Sequence, residues 1–273
     1  MALGWIELTL IGLATLFPIV WRASCSVRYY VKIFVYFSFM MLTGFVMIPI
    51  VMWRPKHPRN LMYVRNFWNF SLRMFQWEVE VRDRENVEYM KPAVIVSNHQ
   101  SALDMIAMMQ AMPERTTALA KKELLFTGAW GVTAWLCGLV FVDRLNPQRA
   151  RDTMKKTVKY LQTSDMKLWV FPEGTRKLNG EINTFKKGAF HLAIEAQVPI
   201  LPIVNSSYLP FYDPKTKKFN PGKIITVCLP AISTEGMTSD DVNQVTEDTR
   251  QKMAVVFEKI SREVAQEIGS KET

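Results

Sequence analysis

Cysteine is scarce in this chain, with only Cys25, Cys137 and Cys228 among 273 residues. They are far apart, odd in number and never spaced C-x-x-C, which argues against a disulfide framework or a zinc site. Each sits in an apolar or small-residue context and is expected as a small buried thiol. Histidine is as rare, limited to His57, His99 and His191. No H-E-x-x-H helix, G-x-S-x-G elbow, G-x-x-x-x-G-K-[ST] loop or G-x-G-x-x-G fingerprint occurs, which removes the usual signatures of zinc proteases, serine hydrolases and nucleotide-binding folds. Repeats and low-complexity tracts are absent as well. Acid is in deficit: 34 Lys and Arg against 25 Asp and Glu give a net charge of +9. That balance favours anionic partners, whether phosphorylated ligands, lipid surfaces or nucleic acid, and does not choose among them.

What the chain has in excess is apolar sequence near its start. Residues 5–20, WIELTLIGLATLFPIV, are apolar apart from Glu7 and the threonines, and residues 33–53, IFVYFSFMMLTGFVMIPIVMW, carry no charge. The second is long enough to cross a hydrocarbon core of roughly 30 Å, whereas the first is short for that. Without a basic stretch before the first segment or a clear A-x-A site after it, a retained anchor is expected over residues 1–56 rather than a cleaved signal. Arg54, Lys56, Arg59 and Arg65 outnumber the cations between the segments, which favours a cytosolic catalytic domain, with a re-entrant hairpin as the alternative. Residues 57–76 mix aromatics with arginines, as an interfacial helix or an amphipathic helix packed on the next domain would.

From residue 77 to 273 the pattern alternates. Short β-rich runs occur at 77–81, 93–97, 116–120, 139–143, 167–171, 199–204 and 223–229. Most are separated by helical stretches at 101–112, about 122–136, 147–163 and 185–197, and a long helix closes the chain near 239–268. This alternation predicts an α/β domain, a mostly parallel sheet flanked by helices. The connection 208–222 reads as a surface loop and a candidate second membrane contact.

In open α/β sheets ligands bind beyond the carboxyl ends of the strands. Three polar clusters fall at such ends. VIVSNHQSALD, residues 94–104, brings His99 to a strand end five residues before Asp104. On one continuous helix they would lie about 140° apart, so they meet only if the chain turns between them. Ser101-x-x-Asp104 is itself a helix-start pattern that supplies the turn. A histidine oriented by a carboxylate is a general base, while the plainer reading leaves Asp104 a cap and His99 a loop residue. FPEGTRK, residues 171–177, pairs Gly174, which permits an unusual backbone angle, with Thr175, Arg176 and Lys177 as donors for an oxyanion or phosphate. Lys121, Lys122 and Asp143-Arg144 add charge at the same edge. His191, at helical spacing among apolar neighbours, reads as a packed helix residue, and His57 as interfacial.

These residues resemble the glycerolipid acyltransferase superfamily, and within it the 1-acylglycerol-3-phosphate (lysophosphatidate) acyltransferases. Its blocks occur in order: N-H-x4-D at 98–104, GLVFVDR at 138–144, FPEGTR at 171–176 and VPILPI at 198–203. Val142 and Leu201 replace commoner Ile and Val, and neither exchange touches polar chemistry. The resemblance implies transfer of an acyl chain from acyl-CoA to the sn-2 hydroxyl of lysophosphatidate, on an endoplasmic reticulum membrane with the catalytic domain facing the cytosol. It implies membrane lipids as surroundings, and neither nucleic acid nor a cofactor. His99 would be the base and Asp104 its partner. Arg144, Glu173, Gly174, Thr175 and Arg176 would receive the acceptor, with Lys121 or Lys122 adding a phosphate contact. Backbone donors at the start of the 101–112 helix are expected to steady the oxyanion. An acyl-enzyme on Ser101 is a less favoured variant. The rival readings are another lysophospholipid or glycerol 3-phosphate as acceptor, or a non-catalytic membrane-anchored protein that binds anionic lipid.

Overall fold

A computed structural model describes residues 4–88 and 92–272; the opening residues of the expected 1–56 segment, and 89–91 and 273 of the 77–273 segment, lie outside it. Two long helices lead, α1 (Trp5–Ala23) and α2 (Cys25–Val51), followed by α3 (Asn60–Phe75). Ser24 breaks the first two, its extended backbone and side-chain oxygen capping Val27 N at 3.3 Å. Then come β1 (Trp77–Arg82), the short α4 (Glu85–Glu88), β2 (Ala93–Ser97), α5 (Asp104–Ala111) and β3 (Thr116–Lys121). After a 3-10 turn over Lys122–Phe126 follow α6 (Gly128–Leu136), β4 (Val140–Val142), α7 (Pro147–Thr163), β5 (Lys167–Val170) and α8 (Gly188–Ala196). The chain ends in β6 (Ile200–Asn205), β7 (Tyr212–Asp213), β8 (Lys218–Phe219), β9 (Gly222–Cys228) and the long α9 (Val242–Glu272).

Seven strands form one sheet in the order β1-β9-β6-β2-β5-β3-β4. Every pairing is parallel except β6 with β9. The carboxyl ends of β2 to β6 therefore share an edge with the starts of β9 and β1. Side-chain alternation along the central strands feeds two cores, as a sheet covered on both faces requires. Ile95, Trp169, Leu201 and Ile224 point to the face covered by α2, α3 and α5, and Val94, Val96, Leu168, Val170 and Ile225 to the face under α7, α8 and α9.

Among the described residues α2 alone is long and apolar enough to cross a membrane. One face of it is nonetheless buried in the protein: Tyr36, Phe39, Met47 and Val51 are covered, while Tyr30, Phe34, Leu42 and Phe45 are exposed. Gly44 lets this face close on α6, because a Cβ there would lie 2.6 Å from Ala129 C and Trp130 N. Thr133 Oγ1 reaches Gly44 O at 2.9 Å across the contact. Gly44→Val is expected to force the two helices apart and destabilise the fold by about 1–3 kcal/mol, the usual range for overpacking, read as a lowered melting temperature in detergent. Helix α3 likewise buries Leu61, Val64, Trp68 and Phe75 and exposes Tyr63, Phe70 and Met74.

The structure corrects the reading of 208–222 as a surface loop. Its turn is tied down by a β7–β8 hairpin, and Tyr208, Phe211, Tyr212 and Phe219 are buried. Phe211 and Phe219 pack on Trp77, Tyr212 stacks on Tyr29, and Lys32 Nζ donates to Phe219 O at 2.6 Å. Polar and proline residues in the segment masked an aromatic period that belongs to the core. Cys25 is another correction: it is exposed, whereas Cys137 and Cys228 are buried as expected.

Candidate active site

Strand β2 delivers His99 to the sheet edge, and the following turn brings Asp104 beneath it. His99 Nδ1 lies 2.7 Å from Asp104 Oδ2, with the carboxylate almost wholly buried and the imidazole 17% exposed. The same oxygen accepts from Gln100 N at 2.8 Å and Ser101 N at 3.1 Å. Ser101 Oγ accepts from Leu103 N at 3.0 Å. The cap and the pair are thus one device: the acid reaches back to hold the turn, and in doing so faces the ring. Helix α5 itself begins only at Asp104, so Ser101 caps the preceding turn rather than the helix. In the turn leading into α5, the amides of Gln100, Ser101 and Leu103 already have acceptors.

The remaining sides of His99 are fixed by FPEGTRK. Its ring stacks on Phe171 with centroids 4.2 Å apart. Its amide donates to Glu173 Oε1 at 2.7 Å, and its carbonyl accepts from Lys177 N at 3.1 Å. Nδ1 is therefore committed to the carboxylate, and Nε2 has no partner among the described residues. Glu173 is 5% exposed, and its second oxygen accepts from Asn183 Nδ2 at 2.8 Å. Burial pushes its carboxyl above the usual range, against the pull of the His99 and Asn183 donors. Sequence reading placed Glu173 against the acceptor, but its carboxylate is turned inward and occupied.

Gly174 takes φ +70°, in the left-handed region that favours glycine. The turn leaves the amides of Thr175 and Arg176 without acceptors among the described residues, and both side chains point outward. Arg144, beyond β4, donates to Gly174 O at 2.8 Å, linking the second and third sequence blocks. Arg176 is exposed, and its charge bears on Tyr212, whose phenol is pushed up by burial and by its bond to Tyr29. The two lysines separate clearly. Lys122 Nζ sits 3.2 Å from Asp143 Oδ2, while Lys121 is exposed with no ion-pair partner among the described residues. Bonding to Lys122 and the further charge of Arg149 hold the Asp143 carboxyl low. His191 is exposed on α8 rather than packed, and His57 accepts from Arg59 N in a turn, so His99 alone among the histidines meets a carboxylate.

Sequence reading missed the braces behind the pair. Asn98 and Asn205 exchange hydrogen bonds, Asn98 Nδ2 to Asn205 O at 2.9 Å and Asn205 N to Asn98 Oδ1 at 2.8 Å. Gln100 Nε2 reaches Ser206 O at 2.8 Å. Tyr36 of α2 donates to Ala102 O at 2.8 Å, clamping the turn from the apolar N-terminal side. Tyr208 lies against Asp104 in full burial, and that burial with the neighbouring acid keeps its phenol protonated. The polar N-S-S-Y run at 205–208 was the available signal.

A buried carboxylate orienting an open imidazole, beside a turn rich in free donors and cations on an α/β scaffold, is chemically suited to group transfer on an anionic substrate. The Acyltransferase family model matches residues 78–206. The mouse 1-acyl-sn-glycerol-3-phosphate acyltransferase alpha is 40% identical over 242 residues, 88% of this chain and 85% of its own length. The human beta form is 41% identical over 200 residues, covering 73% and 70%. The Saccharomyces cerevisiae 1-acyl-sn-glycerol-3-phosphate acyltransferase is 36% identical over 207 residues, covering 75% and 68%. The crystal structure of the 1-acyl-sn-glycerophosphate (LPA) acyltransferase PlsC from Thermotoga maritima superposes with a TM-score of 0.58 at 19% identity, over 88% of this chain and 97% of that one, which supports the fold. The chain belongs to the 1-acyl-sn-glycerol-3-phosphate acyltransferase family and is an acyltransferase.

Proposed function

We propose that this enzyme transfers an acyl chain from acyl-CoA to the sn-2 hydroxyl of lysophosphatidate, giving phosphatidate and CoA, with no cofactor. The names of its relatives support the acceptor. The observation that carries the chemistry is the 2.7 Å contact between His99 Nδ1 and buried Asp104, which turns the unpaired Nε2 outward. Nε2 takes the hydroxyl proton as that oxygen attacks the thioester carbonyl; Asp104 stabilises the imidazolium. The tetrahedral intermediate collapses by breaking the C–S bond, and the proton on Nε2 passes to the departing CoA sulfur. The unpaired amides of Thr175 and Arg176 are suited to receive a phosphate oxygen. Ser101 is poorly placed as a nucleophile, because its oxygen is buried and already caps Leu103.

Arg176, with Arg144, Thr175 and unpaired Lys121, supplies the acceptor's phosphate contacts in this reading. Glu173 serves by gripping the His99 amide. Arg176→Ala is expected to weaken lysophosphatidate binding by about 1.5–3 kcal/mol, the range for hydrogen bonds to charged groups. An unchanged acceptor KM, with KM verified as reporting binding, would remove Arg176 from the phosphate site.

The enzyme is placed on the endoplasmic reticulum membrane with its catalytic domain in the cytosol, residues 1–56 forming the anchor, 57–76 the interfacial segment and 77–273 the acyltransferase domain. The exposed aromatic faces of α2 and α3 support membrane contact. The burial of α2's other face against α6 favours lying in one leaflet beside the domain over crossing alone. The deciding experiment is transfer of labelled acyl chains from acyl-CoA to a panel of lysophospholipids, glycerol 3-phosphate and lysophosphatidate by purified enzyme. Absence of phosphatidate formation would sink the proposal. Preference for a headgroup-bearing lysophospholipid would move it to the rival acceptor.

A further inference from the structure

We infer that Lys186 is a phosphate-binding residue, paired with Arg144 across Gly174 and taking a phosphate ester of one of the two substrates. The inference rests on the acyl transfer proposed above and assigns a residue outside the sequence blocks. The Lys186 side chain lies flat over Gly174: a Cβ at 174 would be 2.9 Å from its Cε and 3.0 Å from its Nζ. Glycine at 174 suits φ +70°, and the bare Cα lets the lysine side chain lie close against the turn. The lysine is aimed by its own backbone, since Lys186 N donates to Pro172 O at 2.8 Å and so ties 186 to the FPEGTR turn.

On the carbonyl side of the same glycine sits the Arg144 guanidinium, 2.8 Å from Gly174 O. Two cations thus meet one residue. Neither has an ion-pair partner among the described residues. Two acids beside the turn are spent: Glu173 is buried under the His99 amide and Asn183, and Asp143 is held by Lys122 and Arg149. Both cationic side chains are exposed and retain free N–H donors. An oxyanion bridging them would relieve their mutual repulsion and accept charge-assisted hydrogen bonds from each. The adjacent free amides of Thr175 and Arg176 make the turn a fuller cradle for such a group. The phosphomonoester of the acceptor and the phosphates of CoA offer the same chemistry here.

The test is steady-state kinetics of Lys186→Met and Lys186→Arg against the native enzyme, with both substrates varied. Lys186→Met is expected to raise one KM by roughly 10- to 100-fold, the range for losing a hydrogen bond to a charged group, with kcat little changed. A rise for lysophosphatidate identifies the acceptor's phosphate as the occupant. A rise for acyl-CoA identifies the donor's. Lys186→Arg must recover most of the loss; an equal defect in both variants would report packing rather than charge and overturn the proposal. So would two unchanged KM values, or a fall in kcat alone. Should the enzyme fail to acylate lysophosphatidate, equilibrium binding of CoA and of lysophosphatidate micelles to native and Lys186→Met protein still decides. Lost affinity for either in the variant supports the site, and equal affinity overturns it.

Discussion

His99→Ala is expected to lower kcat by roughly 10² to 10⁴, about 3 to 5 kcal/mol of transition-state stabilisation, while leaving the fold intact. The fold survives because the contacts that lock residue 99 into the edge are backbone contacts. Its amide binds Glu173 and its carbonyl binds Lys177, and neither depends on the ring. The side chain contributes the stack on Phe171 and the bond to Asp104. In the proposed mechanism, removing it leaves a neutral alcohol facing a thioester with nothing to take its proton. The free amides at 175 and 176 and the cations around Gly174 remain, so substrate binding should persist and the defect should fall on kcat. Native-like thermal unfolding combined with near-normal turnover would eliminate His99 as the base.

Much of this site was legible because it depends on chain-local events. An apolar run ending in Asn98-His99, followed by a helix-start pattern, fixes where the ring emerges and where the acid must turn, and the structure realises both within one turn. The parallel sheet was legible for the same reason, through alternation of short apolar runs with helical periods. What was hidden depends on pairing across the sheet. Nothing local says that Asn205 will brace Asn98 from more than a hundred residues away, or that Tyr36 of an apolar helix will hold Ala102 O. The hairpin at 212–219 was misread because its aromatics matter only once α2 and Trp77 are beside them. The acceptor role of Glu173 came from the family resemblance alone. In the structure its buried carboxylate accepts from the His99 amide and from Asn183, contacts that no local pattern announces.

Asp104→Asn is expected to be almost as damaging as loss of the histidine, roughly 10² to 10⁴ in kcat, despite a nearly unchanged shape. One oxygen of Asp104 takes three donors, His99 Nδ1, Gln100 N and Ser101 N. An asparagine with its amide oxygen in that place keeps the two backbone bonds, so the turn should hold and the melting temperature should stay close to native. What it loses is the buried negative charge that, in the proposed mechanism, stabilises an imidazolium once Nε2 has taken the proton. If its amide instead turns the NH2 toward the ring, it selects the tautomer with the proton on Nε2, which has no lone pair left to act as a base. Either orientation strikes the same step that His99→Ala removes. The double variant should therefore be no slower than the worse single one, within about threefold, because residues acting as one unit do not lose rate independently. Multiplicative losses in the double variant would show that Asp104 acts on a different step. Near-native kcat in folded Asp104→Asn would reduce the acid to what the helix-start pattern alone suggested, a brace for the turn.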